Sequence, residues 1–185
     1  GGKTGTTDDA GYCFTSAYNR DGDEIYTVIL NSTTTDQRFT DTATLANWYY
    51  GHKVTVAIAN TQEKTANGNP LMARISQTDW TDKTIDATLA DPTAQATVFS
   101  LAGEVTEKVS YDDLSGTVHV GDKVGSVTLK QDGTKIAVMD LVADEEGAGP
   151  NPIEWILVKL DRLGRRIDNR PLAAESETVA KAPEV

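Results

Sequence analysis

The chain has 185 residues, of which 38% are hydrophobic and 24% are charged, a composition typical of a folded globular protein. Its 28 acidic and 17 basic residues give a net charge of −11, which argues against a nucleic-acid-binding protein. The single cysteine excludes an internal disulfide. The two histidines, His52 and His119, lack the spacing of a zinc site. The sequence contains no apolar run of the ~18–20 residues needed to span a bilayer.

The first 60 residues predict a hairpin, a helix and a further strand. Residues 11–17 and 24–30 are rich in β-branched and aromatic residues and are separated by turn-forming residues, which predicts a β-hairpin. Residues 38–50 carry apolar residues at helical spacing and predict an amphipathic helix. Residues 53–59 (KVTVAIA) predict a strand that returns to the same sheet.

The middle of the chain predicts a linker and a small β domain. Residues 61–74 are polar and contain glycine and proline, which is typical of a linker. In residues 75–146, turn residues separate short runs of strand-forming residues at intervals typical of an all-β sandwich or barrel. Asp132-Gly133 lies between two of these runs and is a strong hairpin-turn signal. The runs cover residues 84–89, 96–101, 104–111, 117–120, 124–130 and 135–142.

Residues 147–170 interrupt the acidic chain with five bases against three acids. Within them, residues 153–167 predict an amphipathic helix with Trp155 near its start. Two interpretations stay open: the helix packs on the β domain, or it lies in a membrane interface with its bases toward the headgroups. Residues 171–185 are polar and aperiodic and are predicted to be disordered. The apolar stripe of the helix is Ile153, Ile156, Leu157, Leu160, Leu163 and Ile167, and its bases are Lys159, Arg162, Arg165 and Arg166.

The opening Gly1-Gly2-Lys3-Thr4-Gly5 allows three interpretations. Gly2-Lys3-Thr4 matches the end of a phosphate-binding loop, but such a loop leads directly into a helix, whereas a poor helix start and then a predicted strand follow here. A flexible, tag-like terminus is the plainest alternative, because a Lys-Thr-Gly tripeptide is common by chance. The third interpretation rests on the residues that come after the motif.

The run from Gly1 to Tyr50 resembles the penicillin-binding D-alanyl-D-alanine carboxypeptidases of the serine S11 peptidase type. In that family, a Lys-Thr-Gly strand edges the active site and is followed by Thr-Asp-x-Ala-Gly-Tyr, which here is TDDAGY from Thr7. The arginine that begins the family's C-terminal helix corresponds to Arg38. Residues 118–146, with VHVGDKVGSVTL and LVADE, look like the small β domain of the family. The resemblance covers most of residues 1–146.

The resemblance implies an α+β fold. Residues 1–60 would be the C-terminal part of a β-lactamase/transpeptidase-like domain, residues 75–146 a small sandwich-like β domain, and residues 147–170 an amphipathic helix. Because proteins of this family commonly end in such a helix, the resemblance favours the membrane interpretation. The implied reaction removes the terminal D-alanine of a peptidoglycan pentapeptide through an acyl-serine. The resemblance implies that no metal or organic cofactor is needed. It also implies an extracytoplasmic location, in the cell wall or at the outer face of the membrane.

By the same resemblance, five residues belong to the substrate site. Lys3 would place positive charge beside the nucleophile and the substrate carboxylate, and Thr4 would donate a hydrogen bond to that carboxylate. Gly5 would let the substrate backbone lie against the strand. The backbone N–H of Thr6 would form half of the oxyanion hole. Arg38 would make a charge-assisted bond to the terminal D-alanine carboxylate.

The sequence lacks the two serine motifs of the family, Ser-x-x-Lys for the nucleophile and Ser-x-Asn for proton relay. Because these motifs precede Lys-Thr-Gly in the family, and because the chain begins at Gly1 with neither methionine nor a signal peptide, we expect a C-terminal fragment that is inactive alone. Penicillins and other β-lactams would bind only the intact parent. We also expect residues 1–60 to fold poorly alone and residues 75–146 to fold independently. The alternative is a non-enzymatic binding module of the cell envelope, made of the β domain and a membrane-interface helix.

The remaining chemistry-bearing residues have structural explanations. Thr15 and Ser16 are predicted to be surface positions of a strand, and Cys13 a small buried hydrophobic residue. Asp8 or Asp9 is predicted to brace the turn after the motif, and Arg20 and Arg74 to be solvated charges. His119 is assigned no role.

Overall fold

The computed structural model describes residues 1–185 and divides into two compact units. The first unit comprises residues 1–54 and 99–101, and the second comprises residues 55–98 and 102–185. Neither helix is long and apolar enough to cross a bilayer. The elements are β1 (Gly2–Thr7), β2 (Gly11–Arg20), β3 (Asp23–Ser32), α1 (Gln37–Gly51), β4 (Lys53–Ala57), β5 (Ala73–Ser76), β6 (Thr84–Leu89), β7 (Gln95–Phe99), β8 (Val105–Tyr111), β9 (Lys123–Gln131), β10 (Thr134–Ala143), α2 (Pro152–Ile167) and β11 (Glu177–Thr178).

The first unit is a three-stranded antiparallel sheet in the order β1-β2-β3, with α1 on one face. Asp21 and Gly22 have positive φ angles of 54° and 87°, as the tight turn between twisted strands requires. The rings of Phe14 and Phe39 meet edge to face at 5.0 Å. The hydroxyl of Ser32 donates to a carboxylate oxygen of Asp41 in α1 (2.9 Å), which fixes the helix against β3.

Very little apolar side chain is buried in the first unit. Ala46 is its one fully buried hydrophobic residue, while Tyr26, Val28 and Leu30 on β3 are 57–74% exposed. These three residues alternate along the strand and therefore share one face of the sheet, opposite to α1. Most buried side chains of this unit are polar, namely Ser16, Thr27, Ser32, Arg38 and Thr42.

The hydrophobic core lies in the second unit, around a six-stranded antiparallel sheet in the order β11-β5-β6-β10-β9-β8. The hydroxyls of Tyr111 on β8 and Thr178 on β11 are hydrogen-bonded, so the sheet curls until its two edge strands meet. The β4–β7 ribbon adds Val56 and Val98 to the same core. The sequence predicted a sandwich-like domain with two packed sheets. In the structure, the layer that packs against the curled sheet is this two-stranded ribbon.

Residues 53–59 are predicted to return to the sheet of the hairpin, but β4 pairs with β7 instead. Two further segments differ from their sequence-based predictions. In the predicted linker 61–74, Leu71 and Met72 are fully buried and the chain enters β5. In the predicted disordered segment 171–185, β11 pairs with β5. The Met72 carbonyl accepts hydrogen bonds from the N–H groups of the two residues after β11 (2.9 and 3.1 Å). Both segments are too short to show a period, and long-range pairing orders them.

Arg74 and Arg20, expected to be solvated, both have partners. Arg74 forms ion pairs with Glu63 (2.8 Å) and Glu177 (3.3 Å), and so joins the former linker to β11. Arg20 lies over the ring of Tyr50 at 4.4 Å. These contacts link segments distant in sequence, which no local pattern could have indicated.

Glu107 is a half-buried carboxyl without a partner. It alternates with Val105 and Val109 on the core-facing side of β8, and neither of its two buried carboxylate oxygens has a hydrogen-bond partner. Burial raises the pKa of Glu107 to about 7, because the charged form is poorly solvated there.

We expect the second unit to lose stability as the pH rises from about 4.5 to about 7. Below this window Glu107 is protonated in both folded and unfolded states, and above it the folded state holds a poorly solvated charge. The free energy of unfolding should fall by about 2 kcal/mol, a value that allows for the solvent around a half-buried group. Urea unfolding of the full chain at several pH values measures it.

Glu107→Gln should remove this part of the pH dependence, and Glu104→Gln, at an exposed position just before the same strand, should leave it unchanged. An equal pH dependence in wild type and Glu107→Gln would contradict the assignment.

We expect limited proteolysis of the chain to cut residues 1–54 first and to leave a resistant core from the second unit. The reason is the small apolar burial of the first unit, since burial is the main stabilising contribution to a fold. Mass spectrometry of the fragments over time identifies the order of cuts. A resistant fragment spanning residues 1–60 would contradict this expectation.

Candidate functional site

The Lys-Thr-Gly motif lies on β1, at the edge of its sheet. The strand pairs with β2 in a regular register from Gly2↔Ser16 to Thr7↔Gly11. The N–H of Ala17 donates to the carbonyl of Gly1 (2.8 Å). The odd-numbered residues of β1 are therefore the ones whose N–H and C=O groups point toward β2. By antiparallel alternation, the N–H and C=O groups of Thr4 and Thr6 point away from β2, to the open edge.

Gly5 lies between these two threonines with open space beside it. A Cβ built on Gly5 would meet no heavy atom within 4 Å, whereas one on Gly2 would meet the Phe14 ring at 2.6 Å. Packing within the chain therefore explains the glycine at position 2 and gives no reason for the one at position 5. The Lys3 ammonium lies at the same edge and donates to the Thr4 carbonyl oxygen (2.9 Å).

Arg38, at the start of α1, is held beside β1. Its Nη1 donates to the Thr6 hydroxyl (3.3 Å), and its guanidinium lies over the rings of Phe39 (4.9 Å) and Tyr12 (5.8 Å). The Thr42 hydroxyl donates to the Arg38 carbonyl (2.7 Å). The residue is only 9% exposed, and its Nε has no hydrogen-bond partner. A buried guanidinium without a carboxylate partner is suited to bind an incoming anion.

The five residues predicted for the site occupy one strand edge and the adjacent helix start. Thr6 and Arg38 are in direct contact, and Lys3, Thr4 and Gly5 precede Thr6 along the strand. The edge offers backbone groups that no neighbouring strand pairs, with a cation on each side, Lys3 and Arg38. Such an edge can pair with an extended peptide and bind its terminal carboxylate. No group of three or more His, Cys, Asp or Glu side chains lies close enough to hold a metal ion.

The turn after β1 is braced by Thr7, where the sequence predicted Asp8 or Asp9. The Thr7 hydroxyl accepts from the N–H of Ala10 (3.0 Å), and both aspartates are exposed. Gly11 has a φ of +63° and lies against Asn31. A threonine hydroxyl can brace a turn in the same way as an aspartate carboxylate. The sequence therefore predicted the turn correctly but not which of the neighbouring residues braces it.

Two further predictions in this unit were wrong. Ser16 is buried and shares a hydrogen bond with the Thr27 hydroxyl (2.8 Å), and so it is not the surface position that the sequence indicated. Cys13 is half-buried, with its thiol donating to the carbonyl of Ala10 (3.3 Å). Neither residue has a base beside it, so neither is placed as a nucleophile. His119 is exposed in a turn with Asp122.

Helix α2 presents its apolar stripe to solvent. The six stripe residues are 57–79% exposed, and Val158 is the one buried residue of the helix. The helix starts with a complete capping box, in which the Asn151 side chain accepts from the N–H of Glu154 and the Glu154 carboxylate accepts from the N–H of Asn151. Lys159 lies over the Trp155 ring at 3.4 Å.

The polar side of α2 attaches the helix to the second unit. The Arg162 guanidinium donates to the backbone carbonyls of Thr78 and Trp80. Asp161 accepts from Arg165 (2.7 Å), and hydrogen bonds from Thr81 and Arg165 lower the pKa of Asp161. Of the two interpretations left open, packing of the apolar stripe on the β domain is therefore wrong. The sequence could not indicate this attachment because the carbonyls of Thr78 and Trp80 are more than 80 residues away from Arg162.

Neither the known protein families nor the curated proteins contain a match to this sequence. Among solved structures, the chain is similar to the D-alanyl-D-alanine carboxypeptidase DacD from Francisella tularensis, with 20% identity and a TM-score of 0.40 over 80% of this chain. It is also similar to penicillin binding protein 5 from Haemophilus influenzae, with 18% identity and a TM-score of 0.40 over 78% of this chain. The chain spans 36% and 41% of these two proteins, respectively.

Proposed function

We propose that this chain forms part of a serine-type D-alanyl-D-alanine carboxypeptidase, which trims the terminal D-alanine of peptidoglycan pentapeptides. The observation that carries the proposal is the open edge of β1. There the backbone groups of Thr4 and Thr6 are left unpaired by β2 on either side of Gly5, and no packing reason requires that glycine. A stem peptide ending in D-Ala-D-Ala would lie along this edge as an added strand.

Each site residue then has a physical role. The Thr4 hydroxyl and the Arg38 guanidinium bind the terminal carboxylate of the peptide, since both lie on the α1 side of the sheet. The absence of a Cβ at Gly5 lets the scissile bond approach the strand. The outward N–H of Thr6 donates to the oxyanion of the tetrahedral intermediate. Lys3 adds positive charge at the same edge.

The chemistry also needs a nucleophilic serine and a base, which in this proposal come from residues outside the chain. The serine oxygen attacks the carbonyl between the two D-alanines and gives its proton to the base. Collapse of the tetrahedral intermediate breaks the peptide bond, returns the proton to the leaving amine and releases D-alanine. Water then hydrolyses the acyl-serine. The chain supplies binding and oxyanion stabilisation and no covalent step.

We expect a fluorescent penicillin to leave no label on this chain after denaturation, since no serine here begins a Ser-x-x-Lys motif. The protein encoded together with the sequence upstream of Gly1 should contain Ser-x-x-Lys and Ser-x-Asn and should be labelled. Label on the 185-residue chain, or an upstream sequence without these motifs, would contradict the proposal.

In that longer protein, Gly5→Ala should lower kcat/KM for a D-Ala-D-Ala peptide by roughly 10–100-fold, because a methyl group would displace the peptide from the strand. Gly51→Ala is the matched control, since a Cβ there also meets nothing within 4 Å. Both variants should unfold at the wild-type temperature. Equal activity of Gly5→Ala and Gly51→Ala would contradict the role of Gly5.

We extend the proposal to location: the protein is extracytoplasmic and peripheral, and residues 153–167 bind the membrane surface. The support is the orientation of α2, which is attached through Arg162 and leaves six large apolar side chains uncovered. Two bases of the helix that do not bond to the rest of the unit, Lys159 and Arg166, suit anionic headgroups. An apolar face in contact with water is costly, and insertion into the interface removes that cost.

We expect the full chain to sediment with anionic vesicles at low salt, and less so at high salt. Leu160→Ser/Leu163→Ser should lower the bound fraction about tenfold or more, because two large apolar side chains are lost from the interface. Leu101→Ser/Val120→Ser is the matched control, since these residues are similarly exposed elsewhere. Failure to sediment, or equal losses in both variants, would contradict the proposal.

The alternative function is a non-enzymatic binding module of the cell envelope, built from the β domain and the membrane-binding helix. The observation in its favour is that the hydrophobic core lies entirely in the second unit. The two functions differ in the site at β1, which only the carboxypeptidase uses. The upstream sequence and the Gly5→Ala variant therefore discriminate between them.

A further inference from the structure

Three unpaired lysines share one outer face of the six-stranded sheet. Lys130 on β9 stands directly opposite Lys135 on β10, and Lys108 on β8 stands opposite Thr128, the outward-facing residue next to Lys130. Their inward neighbours, Leu129 and Gln131, are buried, which places the lysines on the solvent side. We call Lys108, Lys130 and Lys135 the lysine patch.

The lysine patch is electrostatically unfavourable by itself. Side chains directly opposite on antiparallel strands have Cβ atoms about 5 Å apart, and like charges at this distance destabilise the pair. None of the three lysines forms an ion pair. Lys123, on the same strand as Lys130, instead bonds to Asp140 (2.6 Å). Three adjacent uncompensated cations are unusual in a chain with a net charge of −11.

The shape of the patch favours an extended ligand with repeated charges. Neighbouring strands lie about 4.8 Å apart, so the lysines form a row across three strands. The surface between them carries the hydroxyls of Thr106, Ser126 and Thr128. An exposed lysine binds a single anion weakly, and measurable affinity therefore needs an anion that contacts several lysines at once.

The composition of the patch argues against nucleic acid. Binding of single strands relies on aromatic side chains that stack on the bases. The outward positions around the patch are threonine, serine and lysine, with Val138 beside them and Asp140, which is paired with Lys123, at the far end opposite Ser126. None of these residues is aromatic. A phosphate polymer without bases is the ligand class that matches this surface.

We propose that the lysine patch, formed by Lys108, Lys130 and Lys135 on adjacent strands, binds a linear phosphate polymer. This inference rests on the sheet register and on the charges of the second unit, and does not depend on the proposed peptidase function. The polymer neutralises three cations that the fold leaves unpaired, and its binding weakens with salt because the contacts are exposed.

The test measures binding of fluorescent inorganic polyphosphate to the full chain at low ionic strength. Lys130→Gln/Lys135→Gln should weaken binding roughly five- to tenfold. Lys64→Gln/Lys181→Gln removes the same charge from exposed positions elsewhere and should change it less than twofold. Absence of binding, or equal losses in both variants, would overturn the proposal. The proposal would also be overturned if orthophosphate, or a single-stranded oligonucleotide with the same charge as the polyphosphate, bound as tightly as polyphosphate.

A second variant tests the electrostatic premise independently. Lys135→Glu replaces the repulsion with Lys130 by a cross-strand ion pair, so it should raise the unfolding temperature of the second unit while it weakens polyphosphate binding. An unfolding temperature at or below wild type would show that the opposed lysines carry no cost, and the proposal would fall.

Discussion

Nearly all apolar burial lies in one of the two units, and the rest of the structure depends on this asymmetry. In the second unit, the curled sheet, the β4–β7 ribbon and the segment after β11 enclose one hydrophobic cluster. In the first unit, the sheet has α1 on one face and exposes Tyr26, Val28 and Leu30 on the other. A sheet with one uncovered apolar face is a marginal structure in water. Its strand order is held mainly by backbone pairing and a few side-chain hydrogen bonds.

The same asymmetry bears on the candidate site. The strand that carries Lys3, Thr4 and Gly5 is at the edge of the unit with little apolar burial, and its outer backbone groups have no strand partner. Proteins normally protect such an edge. Here the edge is left open and is flanked by a buried guanidinium that lacks a carboxylate partner. Arg38 cannot turn away easily, because Thr6, Phe39 and Tyr12 hold it. The site is thus pre-organised on the side of α1 and open on the side where a peptide would bind.

Local patterns were enough to predict most elements of the fold. The two long hairpins and both helices lie within a few residues of the positions that turn residues and periodicity indicate. Prediction failed where order comes from distant partners. Met72 is held by the backbone of the two residues after β11. Arg74 is held by carboxylates on both sides of it in sequence, and Ser16 by Thr27 on the neighbouring strand. Such pairings carry no sequence period. For the site, the motif indicated the strand and Arg38, whereas the contacts of Arg38 with Thr6 and two rings required the fold.

Helix α2 shows how a charged residue can decide which face of an amphipathic helix is buried. Its stripe of leucine and isoleucine would be expected to pack on the nearest apolar surface. The Arg162 guanidinium instead bonds to two backbone carbonyls of the second unit, and burying it elsewhere would leave both the cation and those carbonyls unsatisfied. The side of the helix with Arg162, Asp161 and Arg165 therefore faces the unit. The apolar stripe is left to solvent as a consequence of this attachment, which makes it available to a membrane without any rearrangement of the helix.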